Sequence, residues 1–115
     1  MKQAGQIVLF RFPQTDLEEG KLRPALLLAR LPDEYDDWLI CMISSQIRHC
    51  VPGFDETVQE TDPDFAGSGL KVSSVIRIAR LAVADGEILA GAIGHIGPQR
   101  LQRIRNRLAK WLVGP

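Results

Sequence analysis

The chain has 115 residues, 45% of them hydrophobic and 24% charged, which is the make-up of one compact globular domain over residues 1–115. No stretch approaches the roughly 18 consecutive apolar residues of a membrane span, and the start runs straight into a strand-like pattern without a signal-peptide design, so a cytoplasmic protein is expected. The net charge is zero but unevenly spread: from His95 onward there are five basic residues and no acid, against nine basic and fourteen acidic residues before it, an asymmetry that suggests a charged partner or self-association.

Residues 5–12 (GQIVLFRF) are rich in β-branched and aromatic side chains and predict a first strand that Pro13 breaks. Residues 14–21 (QTDLEEGK) are a polar loop, longer than a tight hairpin turn. Residues 22–31 return as a second strand with a nearly continuous apolar centre; Pro24, lacking an N–H, belongs at the edge or the beginning of its ladder. A turn at Leu31-Pro32-Asp33 leads to a third strand over 38–46, followed by an irregular stretch over 48–53. A short strand is expected over 57–59. Asp62 and Pro63 predict one helical turn, with Asp62 as cap and Pro63 at the first position.

Residues 72–78 predict another strand, Asp85-Gly86 a turn, and residues 88–96 a last strand loosened by Gly91 and Gly94. Pro98 opens an amphipathic helix in which Leu101, Ile104, Leu108, Trp111 and Leu112 recur at three- and four-residue steps. Arg100, Arg103, Arg107 and Lys110 fall on its other side, either as a solvated face or as contacts to nucleic-acid phosphates. Short strands with one terminal helix give an α+β, mainly β domain, a small twisted barrel sealed by that helix. At this size only about two-thirds of the unfolded surface is buried, and a dimer would bury more.

Chemistry is sparse. Cys41 reads as a reduced core thiol, and with Cys50, His49 and His95 no metal cluster of sensible spacing can be drawn, so neither metal nor cofactor is expected. There is no Ser–His–Asp spacing, P-loop or HExxH helix. Arg23 stands at the mouth of an apolar strand, where its planar fork suits a phosphate, or where it simply lies over apolar surface. Ser44, Ser45 and Gln46 end a hydrophobic strand abruptly, as a rigidly held binding site would, or as a strand leaving the core would. His49 follows closely and is a candidate acid or base; His95, between strand and helix, fits capping or packing.

In order along the chain, Gly5-Gln6-Ile7-Val8-Leu9 with Phe12-Pro13 and Thr15-Asp16-Leu17, then Gly20-Lys21-Leu22-Arg23-Pro24-Ala25-Leu26, then Ile43-Ser44-Ser45-Gln46-Ile47, then Ser74-Val75-Ile76-Arg77, and finally the stretch from Ile93-Gly94 to Trp111 resemble the MazF/PemK family of toxins. The resemblance implies a small SH3-like, plasmid-maintenance-toxin barrel that dimerises to form two composite sites. It implies sequence-specific, metal-independent cleavage of single-stranded RNA that leaves a cyclic phosphate. Arg23 matches the family's catalytic arginine and Ser44 its catalytic hydroxyl; Thr15, Lys21, Ser45, Gln46 and His49 would contact RNA.

It further implies a cognate antitoxin lying in the dimer groove, and operator DNA bound only through that complex. Two departures stand out: Ser44 replaces the commoner threonine, and the loop over 14–21 carries Asp16, Glu18 and Glu19 against Lys21. That acidic loop keeps a second possibility in view, a barrel that binds antitoxin with little or no nuclease activity. A plain nucleic-acid-binding barrel fits less well, because Phe10, Phe12 and Trp38 all sit in core-like runs rather than forming a stacking surface.

Overall fold

A computed structural model describes residues 2–11, 21–89 and 91–115. Six antiparallel strands, β1 (Gln6–Arg11), β2 (Leu22–Arg30), β3 (Asp37–Ser44), β4 (Glu56–Val58), β5 (Ser74–Asp85) and β6 (Gly94–His95), form one sheet in the order β4-β5-β3-β2-β1-β6. A short helix α1 (Phe65–Ser68) and the long α2 (Pro98–Val113) complete the fold. It is the expected mainly β architecture with a C-terminal helix.

The unbroken apolar centre of β2 follows from a sheet covered on both faces, since successive side chains point to opposite sides. Leu26 and Leu28 join Ile7, Cys41, Ile43, Ile76 and Ile78 beneath Ile104 and Leu108 of α2. Ala25 and Leu27 point the other way, into a second cluster with Val8, Trp38, Ile40, Ala84 and Leu89. Pro24 pairs with Leu9 near the start of β2, before the pairing with β3 begins at Ala25, so its missing N–H falls at the beginning of that ladder.

Two irregularities bend the sheet. Between β2 and β3 the register shifts so that Leu28 is the extra residue, and its carbonyl accepts both Nε and Nη2 of Arg105, at 3.0 and 2.7 Å. Between β3 and β5 the shift is larger: Cys41 pairs with Leu81 but Met42 with Arg77, leaving Ile78, Ala79 and Arg80 bulged. Asp55, buried, spans that bulge, accepting the Ile78 N–H at 3.0 Å and the Val51 N–H at 2.9 Å.

Several expectations are corrected. The strand foreseen over 72–78 runs on to Asp85, whereas that over 88–96 shrinks to Gly94–His95, preceded by a 3-10 turn at Gly86–Ile88. There the backbone packs too closely for side chains: a Cβ on Gly94 would strike Gly67 and Ser68, and one on Gly69, whose φ is +74°, would strike the Ile93 carbonyl. The short helical turn starts after Asp64 rather than Asp62, and neither carboxylate caps it. Asp62 accepts instead from Gln59 N–H and Arg100, and Asp64 from Gly97 N–H and Arg100. Trp111 and Leu112 continue the helix's apolar spacing but are 51% and 65% exposed; Trp111 meets Phe54 edge-on with ring centroids 5.8 Å apart.

Much of the basic stripe of α2 turns toward carboxylates rather than solvent, although Lys110 stays exposed. Arg100 is only 8% exposed, and its five N–H groups donate to Asp64 (twice), Asp62, Glu56 and the Thr57 carbonyl at 2.8–3.1 Å. Arg103 and Arg107, three and seven residues on, reach the same Glu56 at 3.0 and 2.7 Å. Helical periodicity puts the three on one side, and the sheet edge supplies the acid.

Removing one partner of such a cluster strands buried charge. Arg100→Ala is therefore expected to lose about 3–5 kcal/mol in urea denaturation, and Arg100→Lys much of that, since an ammonium cannot reproduce the fork. The Arg100 hydrogen bond, outweighing burial, holds the Asp64 carboxyl down at about 2 against an ordinary 3.8. Its contribution, on the order of 2 kcal/mol, is thus complete above that ordinary value and disappears as the pH falls from there through 2, which denaturation midpoints across that range will register. Asp55→Ala leaves two backbone N–H groups without their carboxylate and is expected to cost about 2–4 kcal/mol by the same measurement.

Candidate functional site

β3 carries alternating core residues up to Ser44 and then turns polar. The register pairs Ala25 with Met42, and continuing it by two residues sets Arg23 opposite Ser44. Side chains directly opposite each other share a face, so the arginine and the hydroxyl point to the side of the sheet away from α2. Past Ser44 the chain folds back through a 3-10 turn, Ile47–His49. Ser44 Oγ, on a residue only 5% exposed, accepts the Gln46 N–H at 3.0 Å and lies 3.1 Å from His49 Nδ1. A hydroxyl bonded to the backbone two residues on is a local turn device that serine favours, and here it also brings the imidazole into place.

Four arginines act on this pair. Partial burial, and then the charges of Arg77, Arg48, Arg80 and Arg23, push the His49 imidazole below its ordinary value, so it is neutral at physiological pH. Burial and the neighbouring Arg80 likewise lower Arg77, with Asp55 opposing them. Arg77 pairs with Met42, and Arg80 stands in the β5 bulge braced by Asp55. A hydroxyl, a neutral imidazole and four guanidinium groups make a setting for a phosphodiester: cations for the anion, a donor for its oxygens and a group able to take a proton.

The residues singled out from sequence divide accordingly. Ser44 and His49 come together, Gln46 joins them through its backbone N–H while its residue is exposed, and Arg23 is near enough for its charge to act on His49. Ser45, just past the end of β3, lines with Arg23, Leu22, Pro24, Leu70 and Val72 a cleft of about 380 Å³. Lys21 is exposed at the mouth of β2. Thr15, with the acidic loop residues, lies outside the described residues. His95 is exposed in β6 beside Gly67 of α1, a packing position. Sequence reasoning gave no role to Arg48, Arg77 or Arg80. Arg77 closes one of the family-like segments, but a three-residue bulge leaves no mark that periodicity detects. Among the described residues no group of three or more His, Cys, Asp or Glu side chains is placed to hold a metal ion, and no helix is long and apolar enough to cross a membrane.

A family model described as "PemK-like, MazF-like toxin of type II toxin-antitoxin system" matches residues 3–112. No curated protein matches the chain. The match takes in every strand and nearly all of α2, and the mainly β sheet closed by a C-terminal helix agrees with that family's fold. On this ground the chain belongs to the PemK-like, MazF-like toxins of type II toxin–antitoxin systems.

Proposed function

We propose that the protein is a metal-independent, sequence-specific endoribonuclease that cuts single-stranded RNA, acting in the cytoplasm as a homodimer of one domain spanning residues 1–115. A cognate antitoxin would restrain it, and operator DNA would be bound only through that complex. The observation that carries this reading is the hydrogen bond between Ser44 and His49 at 3.1 Å, with the β2–β3 register leading to Arg23 opposite Ser44 and the Arg23 charge acting on the imidazole.

Attack of a ribose 2′-oxygen on the adjacent phosphorus places extra negative charge on a five-coordinate centre, and donors fixed at that position lower the barrier. Arg23 supplies two N–H groups to the equatorial oxygens, and Ser44 a third donor. The P–O5′ bond breaks, leaving a 2′,3′-cyclic phosphate and a 5′-hydroxyl. A guanidinium with a pKa above about 12 is a poor base, so the arginine's part is electrostatic. Lys21, Gln46, Ser45 and Thr15 are assigned to RNA binding.

A second reading, a barrel that binds antitoxin but cuts little or no RNA, draws on Asp16, Glu18 and Glu19 close to Lys21 in sequence, which would repel phosphate. One experiment separates the two: purified protein, a long unstructured RNA, excess EDTA, and the Arg23→Ala and Ser44→Ala variants alongside. Discrete cuts by the parent, with rates lower by about 10²–10³ in each variant, are expected. Intact RNA in every lane, from protein that is folded, would favour the non-catalytic barrel.

A further inference from the structure

The hydrogen bond between Ser44 and His49 fixes more than a position. A serine hydroxyl has one proton and two acceptor lone pairs. The Gln46 N–H occupies one lone pair, at 3.0 Å. If the hydroxyl proton is to meet a phosphate oxygen, it is not available to His49. The 3.1 Å bond then runs from Nδ1–H to the second lone pair of Ser44. A neutral imidazole has a single N–H, so the lone pair must sit on Nε2.

We infer that His49 is the general base of the cleavage reaction, accepting the ribose 2′-hydroxyl proton at Nε2, with Ser44 and the Gln46 N–H selecting the tautomer that makes this possible. The inference rests on the ribonuclease reading above and extends it: His49 passes from an RNA contact to a proton acceptor. In the step, the 2′-oxygen bonds to phosphorus as its proton moves to Nε2, the P–O5′ bond breaks, and the 5′-oxygen takes a proton from water. The imidazolium then returns its proton to solvent. No oxidation state changes.

The surroundings suit a base. Among the described residues, the charges that act most on His49 are those of Arg77 and Arg80 on β5, Arg48 in its own turn and Arg23 on β2, each of them positive. They keep the ring neutral before reaction and favour release of the proton afterwards. Asp55, the acid behind Arg77, is occupied by two backbone N–H groups, Ile78 of the bulge and Val51.

The test compares single-turnover cleavage of a mixed-sequence, unstructured RNA in EDTA by the parent, His49→Asn and His49→Ala over roughly pH 5–8. An asparagine amide puts an N–H where Nδ1–H was, preserving the bond to Ser44 and removing only the Nε2 lone pair. The expected result for His49→Asn is a maximal single-turnover rate lower by about 10²–10⁴, reached at an unchanged half-saturating protein concentration. The parent should lose activity as the pH falls below the ordinary imidazole value, His49→Asn should lack that acid limb, and added imidazole should restore part of the activity of His49→Ala. A His49→Asn variant that cleaves like the parent, or keeps the acid limb, overturns the role of His49 and leaves the ribonuclease intact. A parent that leaves RNA uncut at every pH overturns both.

Discussion

Arg100 is a charge almost withdrawn from water, and it is tolerable there only because every N–H it owns has an acceptor. Those acceptors come from the edge strand β4 and from the segment leading to α1, so none of these parts can settle without α2. A buried ion cluster of this kind is weak evidence of stability compared with an apolar core, but removal of one member is costly. Its structural effect is to fix how the helix lies on the sheet.

From there the constraint travels along two adjacent residues. Glu56 faces the helix arginines, while Asp55 faces the opposite task of holding the β5 bulge. The bulge in turn determines where Arg80 stands and how Arg77 enters the ladder. The chain thus has two populations of arginine with different fates. Those of α2 are matched against internal carboxylates and the carbonyls of Leu28, Phe54, Asp55 and Thr57. A second group, Arg23, Arg48, Arg77 and Arg80, acts on an imidazole, while Arg30 of β2 pairs with Asp36. A zero net charge conceals this division entirely.

Much of the fold was legible because it rests on short-range rules. Apolar, β-branched runs broken by prolines and polar loops located β1, β2 and β3 to within a residue or two, and helical spacing from Pro98 located α2. Long-range pairing was not legible. Nothing local says that Glu56 waits for Arg100 across 44 positions, and so the helix's basic side was read as facing outward. The stretch near Gly94 has strand-like residues but reaches its partner only through close backbone contact with α1. At the site, Arg23 and Ser44 could be singled out because each is a polar interruption in an apolar run; Arg48, Arg77 and Arg80 could not, because their convergence depends on a bulge and a fold-back.

The two thiols occupy different chemical worlds. Cys41 has no exposure at all, and burial, with the Asp55 charge, pushes its pKa far upward, so it presents no thiolate to an electrophile. Cys50 is partly exposed, directly follows His49, and takes a long contact from Thr57 Oγ1 at 3.7 Å. A thiol reagent therefore meets one address on this protein, next door to the imidazole. A fluorophore or spin label attached there would turn occupancy of the site into an optical or magnetic signal, without altering a single residue of the chain.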